Sequence, residues 1–81
     1  MSEIYIKVVP GSDEFDVELN SMPEIFLENK PENGRANSEL LNRLENILDE
    51  RPAIVSGHRS GRKKLKTSLD EKEFMEALGD F

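Results

Sequence analysis

Apolar and polar residues alternate along two stretches in the first third of the chain, over residues 3–9 and 15–19, and residues 24–28 form a third stretch with an apolar centre. An apolar side chain at every second position is typical of a β-strand with one buried face. Turn-forming residues separate the stretches at 10–13 and 20–23. Because proline, glycine, asparagine and aspartate break strands there, the pattern predicts three successive strands.

The period then changes to that of a helix. After a loop at residues 30–34, apolar side chains recur along one helical stripe: Ala36, Leu40, Leu41, Leu44, Ile47 and Leu48. Such a stripe is typical of a helix that packs one face against a core. On the opposite face, Glu39 and Arg43 lie one turn apart in the favourable order for an ion pair. We expect Pro52 to end this helix, because the residue before a proline avoids helical angles.

The remaining third of the chain predicts two more strands and a second helix. A short strand over residues 53–56, a turn at 57–61 and alternation over 63–69 follow one another. Asp70 and Glu73 are then spaced as a capping box, which marks the start of a helix. Leu69 and Phe74 have the spacing of a hydrophobic staple around this cap, and Gly79 can end the helix.

The elements therefore follow the order β-β-β-α-β-β-α. Two helices cannot cover both faces of a sheet of this size, so both are expected on one face. The prediction is a two-layer α+β fold. With 81 residues, the chain is expected to form a single domain over residues 1–81.

Composition narrows the functional classes. The chain has a formal charge of −6 and contains no cysteine, which excludes disulfides, thiolate nucleophiles and zinc–sulfur sites. No apolar run approaches the length of a membrane span, and the first residues lack the features of a signal peptide. We therefore expect a cytoplasmic protein without a membrane partner. A monomer is favoured, although the sequence does not determine the oligomeric state.

Two motifs resemble those of a known family. Residues 31–37, Pro-Glu-Asn-Gly-Arg-Ala-Asn, open the long helix, and residues 54–57, Ile-Val-Ser-Gly, precede Ser60 and Lys63. Both are similar to motifs of the YggU-like family, a domain of unknown function, and the resemblance covers residues 3–69. It implies a mixed sheet of four core strands, to which the pattern above adds a short extra strand. The resemblance implies little about activity. The family's arginine directly after the turn serine is displaced by one position here, to Arg62, which would move its side chain to the other face of a strand.

Charge is distributed unevenly. Residues 51–69 contain six basic residues and no acidic residue, whereas the remainder of the chain carries a charge of −12. A basic segment on an acidic protein can still attract phosphate, because charges act over a Debye length of about 8 Å at physiological salt. The alternative is a solvated hairpin that is neutralised by acids from elsewhere in the fold.

The start of the long helix is a second candidate region. The first turn of a helix offers N–H groups and a partial positive charge to an anion. The alternative is that Asn33 caps the helix and Ala36 simply packs against the sheet. If the turn at 57–61 lies beside this helix start, Arg35, Arg59, Arg62 and Lys63 would converge on one anion site. The candidate anion- or nucleic-acid-binding residues are Lys30, Gly34, Arg35, Asn37, Gly57, Arg59, Ser60, Arg62 and Lys63.

These regions favour a non-enzymatic module that binds RNA or another phosphate-bearing ligand. The alternative is a protein-interaction adaptor, whose partner would cover a sheet edge or an apolar patch. No catalytic residue, metal site or cofactor is expected: residues 57–64 depart from a phosphate-binding P-loop, His58 has no acidic neighbour, and Asp13-Glu14 and Asp70-Glu71 fit turn and helix-start charges. No aromatic residue lies in the basic segment, which argues against stacking of single-stranded bases.

Overall fold

A computed structural model describes residues 2–80. Its elements follow the predicted order: β1 (Ser2–Val9), β2 (Asp16–Leu19), β3 (Pro23–Phe26), α1 (Arg35–Leu48), β4 (Ala53–Ser56), β5 (Arg62–Thr67) and α2 (Glu71–Gly79). A single 3-10 turn at Glu32–Gly34 immediately precedes α1.

The five strands form one mixed sheet in the order β2-β3-β1-β5-β4. The central strand β1 pairs with β3 in parallel and with β5 in antiparallel orientation. The outer pairs, β2 with β3 and β4 with β5, are antiparallel. The register of β4 shifts between Ile54 and Ser56, where the strand bulges. The α+β class and the mixed sheet are as predicted.

Burial is confined to one face of the sheet. Ile4, Ile6 and Val8 of β1 are buried, whereas the residues between them are exposed, as the period of two requires. Leu65 of β5 and Ile25 of β3 lie on the same buried face through the strand register. The apolar residues of both helices complete this core, namely Ala36, Leu40, Leu44, Leu48, Phe74 and Leu78. Both helices therefore cover one face, as expected.

The opposite side of the sheet is called the open face below. It carries the alternate residues of four strands: Glu3, Tyr5 and Lys7 of β1, Arg62, Lys64 and Lys66 of β5, Glu24 and Phe26 of β3, and Asp16 and Glu18 of β2. Most of these residues are exposed and all but Tyr5 and Phe26 are charged.

The helix α1 ends earlier than the position of Pro52 predicted. Its last residue is Leu48, and Asp49 follows with a φ of 59°, in the left-handed region. A residue with this backbone conformation cannot continue a right-handed helix, and aspartate tolerates it better than most residues. The stop is therefore Asp49, and Pro52 lies beyond it in the approach to β4.

The capping box of α2 is present as predicted. The Asp70 carboxylate accepts a hydrogen bond from the Glu73 backbone N–H at 2.8 Å, and the Glu73 carboxylate accepts one from the Asp70 N–H at 3.1 Å. Phe74 is fully buried and Leu69 packs against the same core, which matches the expected staple. Gly79 is the last helical residue, and Asp80 occupies the C-cap position. Within residues 2–80, neither helix has the length and apolar character needed to cross a membrane.

Replacing the cap of α2 should destabilise the fold. Asp70→Ala removes the acceptor for the Glu73 N–H, and losses of this kind cost about 0.5–2 kcal/mol. We expect the free energy of unfolding in urea to fall by about 1 kcal/mol. Asp70→Ser, which keeps an acceptor oxygen, is the matched control and should retain most of the stability. Equal losses in both variants would contradict the assigned role of the cap.

Candidate anion-binding site

The loop between β4 and β5 is held in a fixed conformation by its own backbone. Gly57 has a φ of +79°, which glycine adopts without steric cost. The Ser60 N–H donates to the Gly57 carbonyl at 3.0 Å, which closes a turn. The Gly61 carbonyl accepts the Val8 N–H at 2.6 Å, so the loop is also attached to the end of β1.

The side chain of Lys63 holds this loop in place through hydrogen bonds to its backbone. It lies on the core face of β5 with only 5% of its surface exposed. Its Nζ donates to the carbonyls of Gly57 and His58, both at 3.0 Å. No carboxylate of residues 2–80 forms an ion pair with it, and burial lowers the pKa of Lys63 below its ordinary value. An ammonium has three N–H groups, and the protein residues described occupy two of them.

The N-cap position of α1 is not occupied by Asn33, which was the alternative that the sequence offered. Gly34 occupies the N-cap position and has no side chain with which to cap. Asn33 and Gly34 both have positive φ angles, of 56° and 71°. This turn leads the chain abruptly into the helix. Asn33 therefore shapes the approach to the helix, and the Asn33 cap hypothesis is wrong.

One hydrogen bond joins the loop to the helix. The side-chain Nδ2 of Asn37, in the first turn of α1, donates to the His58 carbonyl at 2.9 Å. The same carbonyl accepts the Lys63 ammonium. The two regions that the sequence proposed as neighbours therefore do lie side by side, and the backbone of His58, rather than its exposed ring, makes the connection.

The loop and the helix start enclose a cavity of about 750 Å³, called the corner pocket below. Its lining contains no acidic residue and consists of Val8, Pro10, Pro31, Asn33, Gly34, Ala36, Asn37, His58, Arg59, Ser60, Gly61 and Lys63. Because the positive end of the helix dipole adds to the charges of Arg59 and Lys63, the corner pocket is electropositive.

The candidate residues fall into four groups. Those that line the corner pocket are Gly34, Asn37, Arg59, Ser60 and Lys63. Gly57 lies outside the lining and supplies a carbonyl to Lys63. Lys30 and Arg35 line an adjoining depression together with Glu28 and Glu32. Arg62 lies on the open face, opposite Lys7 of β1. The expected convergence of four cations therefore holds for Arg59 and Lys63, and Arg35 and Arg62 lie elsewhere.

The acids of the protein neutralise only part of the basic segment. Arg51 pairs with Glu45 at 3.0 Å, and Lys64 pairs with Glu3 at 3.4 Å. Within residues 2–80, the other four basic residues of this segment form no ion pair, namely Arg59, Arg62, Lys63 and Lys66. The alternative of a solvated hairpin neutralised by acids from elsewhere in the fold therefore applies to Arg51 and Lys64 and not to the other four.

Glu39, in the second turn of α1, binds the segment that follows β3. Its carboxylate accepts hydrogen bonds from the backbone N–H of Glu28 at 3.0 Å and of Asn29 at 2.8 Å, and from the Asn29 side chain at 2.9 Å. Desolvation raises the pKa of Glu39, but the hydrogen bonds from Asn29 and Glu28 and the charge of Arg43 outweigh it, so the pKa lies below the ordinary value of a glutamate. The sequence placed Glu39 on a solvated helix face and gave no signal for this contact.

The chemistry available in the corner pocket is that of anion binding. It offers a guanidinium, a buried ammonium, a hydroxyl and the N-terminal end of a helix of 14 residues. Among residues 2–80, histidine, aspartate and glutamate side chains form no group of three that could hold a metal ion.

Adding a side chain at Gly57 should disrupt the loop. A Cβ there would clash with the Arg62 carbonyl oxygen, in addition to the strain of a positive φ. We expect Gly57→Ala to lower the free energy of unfolding by about 2 kcal/mol or more. Gly11→Ala is the matched control, because Gly11 has a φ of +71° with no atom within 4 Å. It should cost about 1 kcal/mol. Equal losses of unfolding free energy in the two variants would contradict a steric clash between a side chain at Gly57 and the Arg62 carbonyl oxygen.

The contribution of Glu39 to stability should depend on pH. A carboxylate whose pKa is lowered in the folded state stabilises the fold above its ordinary pKa, and this stabilisation is lost as the pH falls through the folded-state pKa. Glu39→Gln should therefore lower the free energy of unfolding by about 1–2 kcal/mol at pH 7, and the difference from the parent should shrink below pH 4. Glu76→Gln, on the exposed surface of α2, is the control. A difference that is independent of pH would contradict this role.

Comparison of the chain with models of known protein families finds no match, and comparison with curated proteins also finds none. The resemblance to the YggU-like family therefore stays a prediction, which depends on the motifs at residues 31–37 and 54–63.

Proposed function

We propose that the protein is a non-enzymatic binding module whose corner pocket holds a phosphate group of RNA. The observation that supports this proposal is the Asn37–His58 hydrogen bond, because it brings a cationic loop against the N-terminus of α1. Each region alone is a common structural feature. Together they form one acid-free cavity with two cations that lack a carboxylate partner among the residues described.

Three groups in the corner pocket suit the unesterified oxygens of a phosphate. Arg59 is exposed at the rim and can donate two parallel hydrogen bonds. Lys63 supplies a charge that is screened little by water because the residue is buried. The first turn of α1, from which Ala36 and Asn37 line the pocket, adds the partial positive charge of a helix N-terminus. The volume of about 750 Å³ also admits a nucleotide in addition to its phosphate.

The adaptor alternative has less support. Among residues 2–80, the large apolar residues that are exposed are Tyr5, Leu19 and Val55, which lie on three different strands, β1, β2 and β4. Scattered apolar residues of this kind are normal on a protein surface, whereas interaction sites usually form a continuous patch.

RNA binding can be tested at Arg59. The affinity for a labelled single-stranded RNA, measured by fluorescence anisotropy, should decrease linearly with salt on a double logarithmic scale. Arg59→Glu should weaken binding at low salt by about tenfold or more, since a hydrogen bond to a charged group is worth about 1.5–3 kcal/mol. Lys72→Glu makes the same charge change on α2, outside the corner pocket, and should bind nearly as the parent does.

A second variant tests whether the alignment of the loop with the helix contributes to RNA binding independently of net charge. Asn37→Ala leaves the net charge unchanged and removes the hydrogen bond between the helix and the loop. We expect weaker RNA binding with a similar salt dependence, because the number of phosphate contacts is retained and their alignment is lost. Undetectable binding of RNA to the parent protein at low salt, or equal effects of Arg59→Glu and Lys72→Glu, would refute the proposed function.

A further inference from the structure

The open face separates positive from negative charge. On β5, Arg62, Lys64 and Lys66 occupy every second position. On the other side of β1, the acids Glu24 of β3 and Asp16 and Glu18 of β2 face the same way. The side of the open face along β5 is therefore a row of cations, next to which Glu3 is the one acid of β1, and the side along β2 and β3 would repel an anionic ligand.

The spacing of the cationic row suits a nucleic acid backbone. Alternate residues of a strand are about 7 Å apart, which is close to the separation of successive phosphates in an extended single strand. Arg62 and Lys66, at the two ends of the row, form no ion pair with residues 2–80. Lys64, between them, pairs with Glu3 at 3.4 Å and keeps 27% of its side chain exposed.

An exposed aromatic ring lies directly beside this row. Tyr5 is 58% exposed and is the cross-strand neighbour of Lys64. The Lys64 Nζ lies 5.3 Å from the centre of the Tyr5 ring, within the range of a cation–π interaction. In the sequence, the basic segment lacks aromatic residues. The pairing of β1 with β5 supplies one across a separation of 59 positions, so the argument against base stacking does not hold.

The row also leads towards the corner pocket. Arg62 follows Gly61 directly in the chain, and Gly61, Ser60 and Arg59 line that pocket. The row therefore begins one residue after the wall of the pocket, and the acids of β2 and β3 lie on the far side of β1 from it.

We infer that the open face along β5 and β1 is a binding surface for single-stranded RNA, with a base stacked on Tyr5 and phosphates along Arg62, Lys64 and Lys66. This inference depends on the proposed function, which it narrows from RNA in general to single strands. Duplex RNA presents no free base to the ring. A stacking aromatic with flanking cations is the arrangement by which proteins bind single strands without reading their sequence.

The test measures binding of an oligouridylate of about ten nucleotides to the full chain and to variants at Tyr5. Tyr5→Leu should weaken binding by about tenfold, since stacking on one base is worth about 1–3 kcal/mol. Tyr5→Phe keeps the ring and should bind as the parent does. Because the residue is exposed, both variants are expected to fold, and their urea unfolding curves check this.

A second readout follows the ring itself. The chain has one tyrosine, so its tyrosine ring protons belong to Tyr5 alone in a proton NMR spectrum. A stacked base should shift these signals upfield as oligouridylate is added, and duplex RNA of the same length should leave them in place.

The outcomes separate this inference from the proposed function. Binding that is lost in Arg59→Glu but unchanged in Tyr5→Leu, with no shift of the ring signals, would overturn the inference and leave the proposed function standing. Absence of binding to the parent protein would refute both. Ring signals that move with protein concentration instead of added RNA would assign the open face to a second copy of the chain and also overturn the inference.

Discussion

Burial on only one side of the sheet is the constraint on which the rest of this structure depends. Each strand alternates, and the register between strands aligns the apolar positions, so that the two helices have a single face to cover. The other face must then remain polar. This division explains why successive residues in one basic segment have different surroundings. Lys63 faces inwards and supports a loop, whereas Arg62 and Lys64 on either side face outwards.

Lys63 is the one charged residue among the buried residues of the described chain. A buried ammonium without hydrogen-bond partners would be strongly unfavourable, and here two carbonyls of the adjacent loop satisfy it. The same contacts determine the shape of the loop, because its backbone must direct two carbonyls towards one nitrogen. The positive charge of the corner pocket and the conformation of its wall therefore have a common origin.

Local patterns in the sequence were sufficient for the elements and for the fold class. The capping box at Asp70 and the apolar stripe from Ala36 to Leu48 each involve residues within a few helical turns of one another. Their interactions can therefore be predicted from the spacing of residues in the sequence. That the loop lies beside the helix start was a hypothesis that the sequence alone could not establish. Contacts that depend on register or on long-range packing could not be derived in this way. They include the Glu39 contacts with Glu28 and Asn29 and the pairing of Tyr5 with Lys64.

The bulge in β4 has a consequence for how this protein can associate with others. A regular outer strand offers a row of free N–H and C=O groups on which a further strand can assemble. In β4 the pairing with β5 skips Val55, and the strand is only four residues long, so its outward backbone groups do not form an even row. Growth of the sheet by edge-to-edge pairing of identical chains is therefore disfavoured at the β4 side.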